Sequence, residues 1–293
     1  MTTVLPLVVG VDGSPGSLTA VDWAVGEAAR HGAPLRLVHG THDAHHARVT
    51  RPADPASPAR HEPADRIVAP AAERARRRNP TVEVSTDIVP ADPVEALLAA
   101  GDHAFILVTG ARGLGEAAGL LLGPVGPAVA ARARCPVIVV RGDPAGLAGR
   151  HDRILLGAGE PADGGEAARF AFREAEVRGC ELDAVRAWRR PAHDGGGHRR
   201  PGGAPGRPHE EEARARLAEL LGPASAEHPG VRVRRTAVEG PARKVLVQRS
   251  AAADLVVIGA HRRPGALGPR LGRVAHALLH HAEAPVAVIP HAP

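Results

Sequence analysis

The apolar run Val8-Val9-Gly10-Val11 ends in Asp12-Gly13-Ser14-Pro15-Gly16-Ser17 and so delivers one carboxylate into a tight turn. Much further along, Thr109-Gly110-Ala111-Arg112-Gly113 closes another apolar run, and a short stretch leads from it to Gly123-Pro124-Val125. Glycines at such places let the backbone approach a polyphosphate, and a helix beginning near Gly123 aims its N–H groups and positive dipole end at the same anion. Arg112 adds a permanent charge shaped for phosphate. This is binding chemistry. No nucleophile–base pair and no paired catalytic carboxylates stand at an interpretable spacing, so catalysis has no evident residue to rest on.

Other residue groups invite sharper readings and support them less. His42, His45 and His46, and His276 with His280 at i, i+4, have metal-ligand character, but no helical glutamate or third well-placed ligand follows. A solvated loop and a helix surface are the plainer readings. Gly113, Gly115 and Gly119 brush against a dinucleotide fingerprint, which belongs after a first strand, whereas this one follows a fourth. Cys135 and Cys180 show neither a disulfide framework nor metal spacing, and packing is the reading for both.

Composition removes whole classes. The one lysine, Lys244, sits in Ala-Arg-Lys-Val, so no Walker A loop exists, and the kinase motifs are missing. The other 36 of 37 basic residues are arginine, yet net charge is only +5. With Tyr 0, Phe 3 and Trp 2, stacking platforms for single-stranded nucleic acid are nearly excluded. The arginine-rich stretches 74–78 and 189–207 lack aromatic interleaving and read as solvated faces or loops. With 44% hydrophobic and 24% charged residues over 293 positions, the chain is globular, and two domains are expected. No stretch is long and apolar enough for a membrane helix, the start lacks a signal peptide's basic region, and the cysteine usage fits a reducing compartment. A cytoplasmic protein is expected.

The elements that must position Asp12 and the glycines occur twice. Val8-Val9-Gly10-Val11 matches Leu155-Leu156-Gly157-Ala158 at an offset of 147, and Cys135-Pro136-Val137-Ile138 matches Ala284-Pro285-Val286-Ala287 at 149. The stretch from Arg141 to Gly146 is the linker. Strands are expected near 4–11, 35–39, 82–89, 104–109 and 136–140, with helices near 16–31, 63–78, 92–101 and 124–134. In the second half, strands are expected near 153–158, 182–187, 231–238, 254–258 and 285–289. In the first helix Val21, Ala24, Val25 and Ala28 face the core, with Asp22, Glu27 and Arg30 outward. Short apolar strands alternating with alanine-rich helices make a doubly wound open α/β sheet, twice. The stretches 42–60 and 189–208, dense in His, Pro, Gly and Arg, read as mobile connections.

These features resemble the universal stress protein family, in its tandem form, over nearly the whole chain. The resemblance is carried by Gly110-x2-Gly113-x9-Gly123, by the opening Gly-Val-Asp-Gly-Ser and by Cys135-Pro136-Val137. It implies two tandem Rossmann-like (adenine nucleotide alpha hydrolase-like) domains, 1–142 and 150–293, each a five-stranded parallel sheet flanked by helices. It implies ATP as ligand, in the first domain alone. Asp12 would bond the nucleoside, backbone near Val38 would meet the adenine edge, and Gly110 and Gly113 would line ribose and phosphates. Gly123, followed by Val125, would open the phosphate-facing helix. The last strands, Val137–Val140 and Val286–Ile289, would pair the domains within one chain, and homodimers of whole chains are also open. Neither a membrane nor nucleic acid is expected as a partner. The implied role is nucleotide-responsive regulation or protection under stress, with a nucleotide-free interaction scaffold as the alternative.

The chain departs from the family pattern at Pro124, where ATP-binding members have serine or threonine. Proline suits a first helical position but offers neither hydroxyl nor N–H. A lost hydrogen bond to a charged group is worth about 1.5–3 kcal/mol, so ATP binding is expected to be weak unless Arg112 compensates. In the second half Gly159 replaces the aspartate, Arg262 the second glycine, and the last pair reads Gly272-Arg273. Arginine at the second glycine position is strained if that position takes left-handed backbone. Arg262, Arg263, Arg270 and Arg273 leave an anion site as the most this half offers.

Overall fold

The computed structural model describes residues 4–41, 62–113, 122–190, 207–260, 262–263 and 270–291. The chain divides into two compact units, Met1–Arg141 with Arg262–Leu271, and Gly142–His261 with Gly272–Pro293. In the first unit the order is β1 (Leu7–Gly10), α1 (Pro15–His31), β2 (Leu35–Gly40), α2 (Glu62–Arg78), β3 (Val84–Val89), α3 (Pro93–Gly101), β4 (Ile106–Gly110), α4 (Val125–Arg132) and β5 (Val137–Val140). A short helix, α5 (Pro144–Leu147), stands in the stretch read as a linker. The second unit repeats the plan with β6 (Arg153–Gly157), α6 (Pro161–Arg178), β7 (Glu181–Trp188), α7 (Arg207–Glu227), β8 (Val233–Glu239), α8 (Ala242–Ser250) and β9 (Leu255–Gly259). It ends in α9 (Arg273–His281) and β12 (Val286–Ile289); the chain between β9 and α9 carries a short antiparallel pair, β10 (Arg262–Arg263) and β11 (Arg270–Leu271), which belongs to the first unit and which the sequence did not predict.

Each half is a five-stranded parallel sheet. The order is β3-β2-β1-β4-β5 in the first half and β12-β9-β6-β7-β8 in the second. In the first, Leu7 pairs with Leu35 on one side and Ile106 on the other; in the second, Leu155 pairs with Asp183 and Val256. Leu7, Val8, Val9, Leu35, Leu37, Ile106, Leu107 and Val108 are all buried, as parallel strands covered on both faces must be. The strand order reverses between β1 and β4. A doubly wound sheet opens its ligand crevice at that point, outside the carboxyl ends of the strands.

Helix α1 shows how local sequence fixes this frame. The Ser14 hydroxyl oxygen accepts from Ser17 N at 3.1 Å as N-cap, Pro15 occupies the first turn, and Gly32 ends the helix in the left-handed region at φ 58°. Its repeat, α6, ends on Gly179 at φ 65°. Val21, Ala24, Val25 and Ala28 are buried as expected, but Glu27 is too, at 0% exposure, although the pattern put it outward. Its charge is met along the same helix, by Arg30 at 3.0 Å and His31 at 3.4 Å. Glu174, 147 residues on, is 1% exposed and pairs with Arg178 at 3.3 Å. The burial is a property of the repeat.

Candidate functional site

Asp12 follows β1 directly. Val11 N still bonds Val38 O at 2.9 Å, so the strand continues to the edge of the turn, and Val38, itself buried on β2, uses its carbonyl in that ladder. One Asp12 carboxylate oxygen accepts from Ser14 N at 2.9 Å, which makes the ordinary turn role real. The other oxygen faces the segment after β4: a Cβ placed on Gly113 would stand 2.6 Å from it. The carboxylate therefore lies against the Gly113 backbone. Expected strain from a left-handed backbone at this position is not what selects glycine, because Gly113 is not among the positive-φ residues. Room for the carboxylate is what selects it.

The two turns are locked together by backbone contact. A Cβ on Gly16 would meet Arg112 O at 2.3 Å, and the Ser14 hydroxyl donates to that same carbonyl at 3.3 Å. Gly123 N donates to Ala111 O at 2.8 Å, so the far end of the glycine motif returns to its start. Asp12, Gly110, Arg112, Gly113 and Gly123 thus meet at the carboxyl edge of β1 and β4. The helix beyond starts at Val125, with Pro124 as its N-cap at φ −74° and ψ −29°, not at the first helical position, and makes no side-chain cap bond. Pro127 has no N–H, so Val125 and Gly126 are the first-turn donors α4 presents.

Four residues at this mouth were not singled out from sequence. Arg141 follows β5, beside Ala111, whose N bonds Val140 O at 3.0 Å. Burial, and next the nearby Arg112 charge, pull the Arg141 guanidinium below the usual arginine range. Thr109, 4% exposed, keeps its hydroxyl buried without a hydrogen-bond partner among the described residues, 3.2 Å from a Cβ on Gly126. His39 Nδ1 is 2.7 Å from Val11 O. Ser17 Oγ is 3.4 Å from Asp12 N. A single-chain pattern search finds these only once strand register is known.

In the second half the equivalent mouth holds a side chain of its own. Arg186, at the His39 position, is 9% exposed and donates to Gly159 O and, at 2.7 Å, to Glu160. Arg216 of α7 also reaches Glu160 at 2.7 Å and Glu212 at 2.7 Å. The Arg186 hydrogen bond, with Arg216 adding to it, holds the Glu160 carboxyl below the usual carboxylate range. Where Asp12 would stand, Gly159 offers no carboxylate, and a Cβ there would meet nothing within 4 Å; the Arg186 guanidinium is held beside it, on the Gly159 carbonyl and Glu160. The arginine side chains at 262, 263 and 270 lie outside the described side chains; Arg273 opens α9 and is exposed.

A family model described as the universal stress protein family matches residues 5–141 and again 151–290. The chain belongs to the universal stress protein family. A universal stress protein of Mycobacterium tuberculosis strain H37Rv is 36% identical over 96% of both chains, and one from Mycolicibacterium smegmatis is 33% identical over 97% of this chain and 96% of its own. A solved universal stress protein from Archaeoglobus fulgidus DSM 4304 covers 98% of each chain at a TM-score of 0.71 and 18% identity, a likeness of fold. Another universal stress protein, solved in complex with cAMP, is 31% identical over 47% of this chain and 98% of its own, with a TM-score of 0.36.

For this family member, the structure brings the sequence-chosen residues together in the first half and leaves the other clusters aside. His42, His45 and His46 lie outside the described residues, as do Gly115, Gly119 and most of 189–207. Both cysteines are free and buried; burial pushes the Cys135 thiol up to about 11, which suits packing, not reactivity. Among the described residues, no helix is long and apolar enough to cross a membrane.

Proposed function

We propose that the first half binds an adenine nucleotide, ATP weakly, at the mouth between β1 and β4, and that the protein serves stress regulation through this binding and not through catalysis. The observation that supports it is the convergence of Asp12 and the motif glycines, above all the Asp12 carboxylate lying where a Cβ on residue 113 would come within 2.6 Å of it. Asp12 takes a nucleoside hydroxyl, Gly110 and Gly113 leave backbone room for ribose and phosphates, and Val38 lies by the base. Gly123 and the N–H groups of Val125 and Gly126 face phosphate. Arg112 supplies charge where Pro124 gives no hydroxyl. We take 1–142 and 150–293 as the two domains, and the cytoplasm as the setting, on the strength of two free cysteines.

The scaffold reading retains one specific support, the Arg186–Glu160 pair at the mouth of the second half. Calorimetric titration with ATP separates the two. Saturable binding that Asp12→Ala removes is the expected result; no heat at millimolar ATP overturns the nucleotide reading.

A further inference from the structure

Helix α9 carries two imidazoles that the nucleotide reading does not use. His276 and His280 are one turn apart, with stacked rings whose centroids are 4.3 Å apart. His276 is exposed and His280 half-buried, and His281 follows with its ring 5.9 Å from that of His280. Side chains at i, i+4 leave a helix on one face. Imidazole nitrogens sit about 2.0–2.1 Å from a bound metal, so two nitrogens sharing one ion stand on the order of 3 Å apart. The two rings, 4.3 Å apart at their centroids, stand close enough on one helix face to share an ion.

The donor set selects the ion. No carboxylate lies on α9, whose one charged residue apart from the histidines is Arg273. The helix packs against α8, which brings Arg243, Lys244 and Arg249. Calcium and magnesium require oxygen ligands, and α9 itself supplies no side-chain carboxylate. Neutral imidazoles suit late first-row metals, with copper(II) bound more tightly than nickel or zinc. We propose that His276 and His280 form a two-imidazole site for a late divalent transition metal, copper(II) above the others, with water completing the coordination. The site lies within the second unit and does not rest on nucleotide binding.

The test uses the untagged full chain titrated with copper(II), read by calorimetry and by electron paramagnetic resonance. The expected result is a site of micromolar affinity with two-nitrogen coordination. His276→Asn/His280→Asn loses one equivalent of bound copper and that signal, while His281→Asn keeps both. Because the chain has 17 histidines, the count is taken as a difference from the unsubstituted protein. Unchanged copper stoichiometry and affinity in the double variant overturns the proposal, and so does an equal loss in His281→Asn. Circular dichroism of each variant without metal confirms that the losses are not unfolding.

Discussion

On the proposed nucleotide reading, Pro124 limits the phosphate end of the mouth, because it caps α4 with no side-chain hydrogen bond and brings no hydroxyl there. Pro124→Ser adds one hydrogen bond to a charged group, worth about 1.5–3 kcal/mol. ATP affinity should therefore rise on the order of tenfold or more, measured by the same titration, and an unchanged affinity would show that phosphate does not reach α4. Glu160 in the other half gives a pH signature. Its folded carboxyl lies below the ordinary unfolded value of about 4.3, so its stabilisation is present above that pH and is lost as pH falls through the folded value. Urea midpoints followed from neutral pH to acid should fall less steeply below about pH 4.3 in Glu160→Gln than in the unsubstituted protein. The difference should be small, since the side chain is half exposed and solvent screens the pair.

At the scale of elements, α1 and α6 end on left-handed glycines that no side chain of ordinary shape replaces without strain. Gly32→Ala and Gly179→Ala should each cost about 1 kcal/mol by denaturant unfolding, and by similar amounts, because neither Cβ would meet a neighbour. These elements were readable in the sequence. Val21, Ala24, Val25 and Ala28 mark the core face of α1 by spacing alone, and the strands before Asp12 and at Thr109-Gly110 fall within a few residues of expectation. Glu27 was misread because periodicity sees polarity and not the arginine and histidine that follow it on the helix. Gly113 was found through the motif spacing, but the constraint on it comes from a carboxylate far away in sequence, which the spacing does not show. Arg141 and Thr109 give no local signal at all. Only the pairing of β4 with β5 and the return of α4 bring them to the mouth.

Across the whole molecule, the repeat was the most legible feature, because a shared offset survives even where individual residues diverge. It also makes the contrast between the halves measurable. Equilibrium dialysis with labelled ATP should give one equivalent per chain. Arg186→Ala should leave that number unchanged, because clearing the second mouth restores neither the carboxylate missing at Gly159 nor the glycine replaced at 262. Two equivalents in either protein would contradict the assignment of binding to the first half. The guanidinium seated over Gly159 also bears on history. Arg186 already holds a glutamate and the Gly159 carbonyl, and this copy differs from its sister at three positions of the mouth, Gly159, Arg186 and Arg262. Any single reversal leaves the other two differences in place, so one substitution does not turn one mouth into the other.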